Sequence, residues 1–375
     1  MSFQPPGGTP PPGSPPPGGP PPGNNVPPQG YPGSQQRWQT WGAGPPTKKG
    51  GNGWKWGIGA LALLVVIGVT VAVTISVTKD RGDDGAASTG ETFGLASADD
   101  KGPVSIITED PSCTAWGPIV RTLAQEQRNG WDQRDRSIPA TQWTPAQRTQ
   151  YEEVAGAMRR AADQSVPLVK VTPHRVMREL YQQFIAYAHA YVDAIPTYSE
   201  TDNLLAGVAG GISNALTDIC TAISYGSAEA RAPLVDAPPN PTAIEPPTEP
   251  GGATLFLSAV DRTCPDLIET LEQFDEDTAE WQAMDSNVPA SDWNPEQRKI
   301  IEGVIPVMTG LAHHLDELGL RSNNPTLQDF ALLAAQYRRA YANALPSYST
   351  PDSYLAAVSA DITSAVADAC RASDA

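Results

Sequence analysis

The sequence predicts an all-α fold: two tandem, duplicated, disulfide-closed up-down four-helix-type bundles. They follow a single transmembrane helix and a disordered Pro/Gly-rich N-terminal tail. Three observations predict this. The chain repeats itself at a fixed offset (281 − 131 = 150, from Trp131 to Trp281), each copy carries helix-start signals and one cysteine pair, and an uncharged run precedes both copies.

The tail, residues 1–56, contains PPGG, PPPGS, PPPGGP and PPQGYPG, a large share of the 38 prolines. Such a stretch cannot bury enough apolar surface to offset its ordering entropy, so it is expected to be disordered or locally polyproline II. Its Pro-x-x-Pro segments, with Tyr31, Trp38 and Trp41 nearby, read as a spacer or as docking ligands for a cytoplasmic partner.

Residues Gly57–Thr78 read GIGALALLVVIGVTVAVTISVT. At about 1.5 Å per residue this run spans a bilayer core of about 30 Å. Trp54 and Trp56 stand at one end, where amphipathic rings sit at the interface, and Lys79 and Arg81 stand at the other. A long segment precedes the run and no small-residue cleavage site follows it, which predicts an uncleaved signal anchor. Arg37, Lys48, Lys49 and Lys55 are the charges ahead of the span, and all 42 acidic residues lie after it. This asymmetry places the N-terminus in the cytoplasm and the C-terminal domains outside, at the plasma membrane. The part beyond the span carries 25 − 4 = 21 basic residues against 42 acidic, a net of −21. That excludes nucleic acid as a natural partner.

Residues 79–108 read as an acidic linker that lifts the first copy off the membrane. Residues 109–225 form repeat 1, residues 226–256 a Pro-rich, semi-rigid spacer, and residues 257–375 repeat 2. Trp143, Pro145, Gln147 and Arg148 fall on Trp293, Pro295, Gln297 and Arg298; Tyr187, Tyr191 and Tyr198 fall on Tyr337, Tyr341 and Tyr348. A period this long means a duplicated domain, since solenoid repeats run to about 20–50 residues.

Thr144-Pro145-Ala146-Gln147 and Asn294-Pro295-Glu296-Gln297 each combine a capping residue, proline at the first helical position and glutamine three after the cap. Thr172-Pro173 and Asn324-Pro325 start a third helix, Asp110-Pro111 and Cys264-Pro265 the first, and Thr350-Pro351 the fourth of the second copy. The last helices show an apolar seam: Leu205, Val208, Ile212, Ala215 and Ile219, repeated as Leu355, Val358, Ile362, Ala365 and Ala369. Pro306 falls inside a helix and should kink it. In an up-down bundle the first helix begins where the fourth ends. Of the three connectivities four cysteines allow, this topology favours Cys113–Cys220 and Cys264–Cys370.

No Walker loop, Gly-x-Ser-x-Gly, His-Glu-x-x-His or dinucleotide fingerprint occurs, and no Glu-x-x-His pair of a di-metal bundle. No cofactor and no metal site is expected, and the cysteines read as structural. His313-His314 with Asp316 and Glu317 reads as solvated helix surface. The repeated aromatics are the candidate binding residues: Trp131, Trp143 and Tyr198, with Trp281, Trp293 and Tyr348. They read as corner packing or as an aromatic shelf for a glycan or lipid. Asp218 and Asp368 complete the set, being anions near a helix C-terminus, where the dipole disfavours them.

The Pro/Gly-rich tail, Trp54-Lys55-Trp56 before one span, the acidic linker and the cysteine-paired helical copies together resemble single-pass envelope proteins of actinobacteria, mycobacteria above all. The resemblance implies an envelope location and carries no catalytic residue. The expected function is a non-enzymatic binding or scaffolding protein, contacting the bilayer through Gly57–Thr78 and an envelope component or protein through the paired domains. A transmembrane sensor and an envelope enzyme are the alternatives.

Overall fold

The computed structural model describes residues 92–374, which hold ten α-helices and no β-strand. The tail, the apolar run and residues 79–91 lie outside the described residues. Repeat 1 comprises α1 (Cys113–Glu126), α2 (Pro145–Val171), α3 (Arg175–Ala194) and α4 (Asn203–Ser224), followed by the short α5 (Ser227–Arg231). Repeat 2 comprises α6 (Cys264–Asp277), the one-turn α7 (Ala279–Gln282), α8 (Pro295–Arg321), α9 (Pro325–Ala344) and α10 (Ser353–Asp374).

The caps of the second helices act as read, whereas Thr172 closes α2 and α3 begins after His174 without a side-chain cap. Thr144 and Asn294 each close a capping box, Gln147 N donating to Thr144 Oγ1 and Gln297 N to Asn294 Oδ1. Both second helices run to 27 residues and continue through an internal proline, Pro167 in α2 and Pro306 in α8. Pro351 lies in a 3-10 turn, Thr350–Asp352, that leads into α10. The disulfides are Cys113–Cys220 and Cys264–Cys370, each joining a first helix to a fourth. One lead-in motif recurs before them. Asp110 accepts from Ser112 and from Thr172 Oγ1 at the end of α2; Asp261 accepts from Thr263 and from Ser322 Oγ at the end of α8.

The two copies are not beads on a string. Helices α4 and α10 pack antiparallel along their lengths. At the crossing, α4 presents glycine: a Cβ on Gly211 would stand 3.0 Å from Ala365 Cβ and from the Asp361 carbonyl oxygen. Glu200–Ser224 is the one described stretch long and apolar enough to cross a membrane. Its Val208, Ile212, Leu216 and Ile219 are fully buried in the shared core and its Cys220 is disulfide-bonded, so burial in the core accounts for its apolarity.

Both segments expected to be spacers are built into this joint, as far as they are described. In residues 92–108, Leu95, Val104, Ile106 and Ile107 are buried. Ile107 N donates to Tyr337 Oη of the other copy at 3.3 Å, while Tyr187, the counterpart of Tyr337, faces the Leu257 backbone. In the Pro-rich segment, Thr248 Oγ1 accepts from Gln182 and the Thr254 carbonyl from Gln183, both on α3; Gln328 on α9 donates to Thr242 Oγ1. Arg231 of α5 forks onto Asp352 at 2.9 and 2.8 Å. Proline-rich chain lacks periodicity of its own, but side-chain amides of the buried third helices supply its partners.

A buried charge cluster lies where α3 and α9 meet. Arg175, 1% exposed, donates to both oxygens of Asp329 at 2.6 and 3.1 Å, and to the carbonyls of Asp100 and Gly102. Glu179, the counterpart of Asp329 (329 − 179 = 150), lies beside Arg178 at 3.6 Å. Burial first, and the Asp329 carboxylate second, push the Glu179 carboxyl well above its usual range; Arg178 and Arg175 pull it back. An acid raised in the folded state stabilises fully below its unfolded pKa, here near 4.5, and that contribution is lost as the pH rises toward the folded value. The wild type should therefore lose stability relative to Glu179→Gln between pH 4 and pH 8. Urea midpoints at the two pH values check this, and a gap that does not widen with pH contradicts it.

Candidate functional site

The sequence-selected aromatics fall into two groups. Trp143, Tyr198, Trp293 and Tyr348 are buried at the end of each copy where helix two begins and helix three finishes. Trp143 Nε1 donates to the Ile138 carbonyl at 2.8 Å and Trp293 Nε1 to that of Val288 at 3.0 Å. Tyr198 Oη donates to the Arg136 carbonyl and Tyr348 Oη to that of Ser286. Each aromatic thus spends its polar atom on its own copy's loop, with the same geometry in both copies. Trp281 packs edge-on to Tyr341 and donates to its hydroxyl at 3.2 Å.

Trp131 differs from these. It borders a cleft of about 700 Å³ between the C-terminal end of α1, the loop through Arg134 and the N-terminal half of α4. Leu123, Met158 and Phe184 give the cleft an apolar floor. Gly130, in the left-handed region at φ 87°, turns the chain back to form the rim. The Arg134 guanidinium lies 3.6 Å above the Trp131 ring and is held by the Trp131 carbonyl and Asn203 Oδ1.

The far wall is the glycine-rich face of α4, with Gly207, Gly210 and Ser213. Gly207 is required by its other side: a Cβ there would collide with the Asp368 carboxylate of α10. Asp368, half-buried and 3.3 Å from Arg371, has its pKa raised to about 6 by burial. Its counterpart Asp218 is half-buried on α4. Ser213 is 1% exposed, and among the described residues its hydroxyl meets no hydrogen-bond partner.

The matching region of repeat 2 carries different side chains. Arg338 stands where repeat 1 has Ala188, one turn beyond Phe184 (338 − 188 = 150). Its guanidinium lies 5.0 Å from the centroid of Phe274, the counterpart of Leu123 once the one-residue difference ahead of Trp281 is allowed for. Its Nε donates to Ser359 Oγ at 3.2 Å, and Ser359 replaces Ala209 of the cleft wall. Thr363, in the place of Ser213, satisfies its hydroxyl on the Ser359 and Ala360 carbonyls. One buried arginine thus lies in the second copy between Phe274 and Ser359, the counterparts of the cleft-lining Leu123 and Ala209.

Among the described residues no group of three or more His, Cys, Asp or Glu side chains could hold a metal ion. His313 and His314 approach Glu317 on the exposed face of α8.

Fold and cleft define a class: a duplicated, disulfide-closed helical protein whose copies share one core and differ at one cleft. The chain belongs to the mycobacterial ESX-1 associated protein family, which matches residues 95–374. It is 48% identical over 338 residues to an uncharacterised protein of Mycolicibacterium smegmatis (strain MKD8), covering 88% of this chain and 89% of the relative. No solved structure matches.

Proposed function

We propose that this is a membrane-anchored, non-enzymatic binding protein of the mycobacterial envelope, in which repeat 1 holds a ligand and repeat 2 braces it. One observation carries the reading: repeat 1 has the cleft, and repeat 2 carries Arg338 between the counterparts of two of its lining residues. Two copies under the same structural demands need no such difference, whereas division of labour between a binding and a bracing copy does. The apolar run Gly57–Thr78 anchors the chain with its N-terminus in the cytoplasm, and the paired domains face the envelope. The family description supports a role connected with ESX-1 secretion.

Complementation tests it. In a mycobacterium lacking the protein, the wild-type chain should restore ESX-1-dependent secretion. A chain carrying Ala188→Arg, which transplants the arginine of repeat 2 into repeat 1, should accumulate in the membrane fraction equally and fail to restore it. Full restoration by Ala188→Arg overturns the reading.

A further inference from the structure

The shape and charge of the repeat 1 cleft also specify a ligand chemistry. Resting on the binding role just proposed, we infer that the cleft takes an anionic amphiphile: an unbranched apolar body with one acidic head, seated with the body on the floor and the head at the rim.

The floor sets the body. Leu123, Met158 and Phe184 are each at most 4% exposed as side chains of the core, yet they border open space. A volume of about 700 Å³ lies in the range of small-molecule sites, which are mostly apolar with a few placed polar groups. The glycines and alanines of α4 leave that wall flat, so a narrow chain can lie against it. Each methylene buried there adds to the affinity.

The rim sets the head. Arg134 is committed to Trp131 and Asn203, and Asp132 is already engaged. Arg128 also lines the cleft, is exposed, and among the described residues meets no side-chain partner. It is therefore the rim cation left to meet an acidic group. Such a charge-assisted contact is stronger than a neutral one, and a fork-shaped guanidinium suits carboxylate and phosphate alike. The unpartnered Ser213 hydroxyl offers one further hydrogen bond inside. A buried hydroxyl without a partner costs stability, and a ligand oxygen in the cleft removes that cost.

The test is calorimetric titration of the full chain in lipid nanodiscs, with empty nanodiscs subtracted. The probes are decanoate, decyl phosphate and decylammonium. The wild type should take up one equivalent of an anionic probe and bind decylammonium at least tenfold more weakly. The preference between decanoate and decyl phosphate names the head. Ala188→Arg should abolish uptake, and Arg128→Glu, a surface change that leaves the floor intact, should weaken the anionic probes at least tenfold. Equal binding of anionic and cationic probes overturns the assignment, as does uptake untouched by both substitutions. If no probe binds while Ala188→Arg still blocks complementation, the ligand class falls and the binding role of the cleft stands.

Discussion

Replacing Asp329 with alanine is expected to destabilise the paired domains by about 3–5 kcal/mol, the usual cost of stripping one partner from a buried ion pair. Arg175 is 1% exposed and its fork onto Asp329 joins α3 of one copy to α9 of the other. Without the carboxylate its charge keeps the carbonyls of Asp100 and Gly102 and no buried counter-ion. Of the carboxyls that remain near Arg175, Asp100 stands 3.7 Å away at a partly exposed position, and Glu179 is itself pushed toward its neutral form by burial. Chemical denaturation of the full chain, followed by tryptophan fluorescence, measures the loss. A double change, Arg175→Met with Asp329→Leu, should recover much of it, because an apolar pair of similar volume leaves no buried charge. A loss below about 1 kcal/mol for Asp329→Ala, the level of an exposed pair, would contradict the placement of this cluster in the core.

Removing the Cys113–Cys220 disulfide by paired serine substitutions is expected to cost about 2–5 kcal/mol, the chain-entropy account giving a value near the top of that range, about 4.7 kcal/mol for a loop of roughly 100 residues. The bridge closes 107 residues and joins α1 to the C-terminal part of α4. α1 forms one side of the cleft, so this bridge holds the cleft wall, whereas Cys264–Cys370 holds the second copy. The same denaturation experiment reads the stability of both variants. The wild type should unfold at the highest denaturant concentration, and a reducing agent should bring it to or below the serine variant, since it opens both disulfides.

The elements most legible in the sequence are those set by local chemistry. Thr144 and Asn294 announce their helices through a three-residue capping pattern, and the cysteine pairs follow from helix order. The joint between the copies was not legible, and α3 shows why. Its core stripe, Val176, Leu180, Phe184 and Tyr187, has the spacing of a helix with one buried face. In the structure Arg175, Arg178, Glu179, Gln182 and Gln183 are buried as well. Polar residues on the second face look like solvated surface unless a partner is known, and here the partners come from the other copy and from the two connecting segments. The same ambiguity hid residues 92–108 and the Pro-rich segment, whose order is imposed by Gln182, Gln183 and Gln328.

The cleft was half legible. Trp131 was singled out because it recurs as Trp281, yet identity between copies selects what both need for folding, such as Trp143 and Trp293. The signal for the cleft lies in the mismatches: Ala188 against Arg338, Gly210 against Ala360, Ser213 against Thr363. Reading the duplication for differences finds the site that reading it for identities passes over.

The most direct measurement is photo-crosslinking in living cells from the cleft rim. A photoreactive amino acid placed at Gln127, which lines the cleft, is compared with one at Gln273, on the exposed face of α6. Gln127 should capture a discrete species that Gln273 does not, and Ala188→Arg in the same chain should abolish that capture at an unchanged protein level. Equal capture at Gln127 with and without the transplanted arginine would contradict the claim that the open cleft of repeat 1 is the binding site.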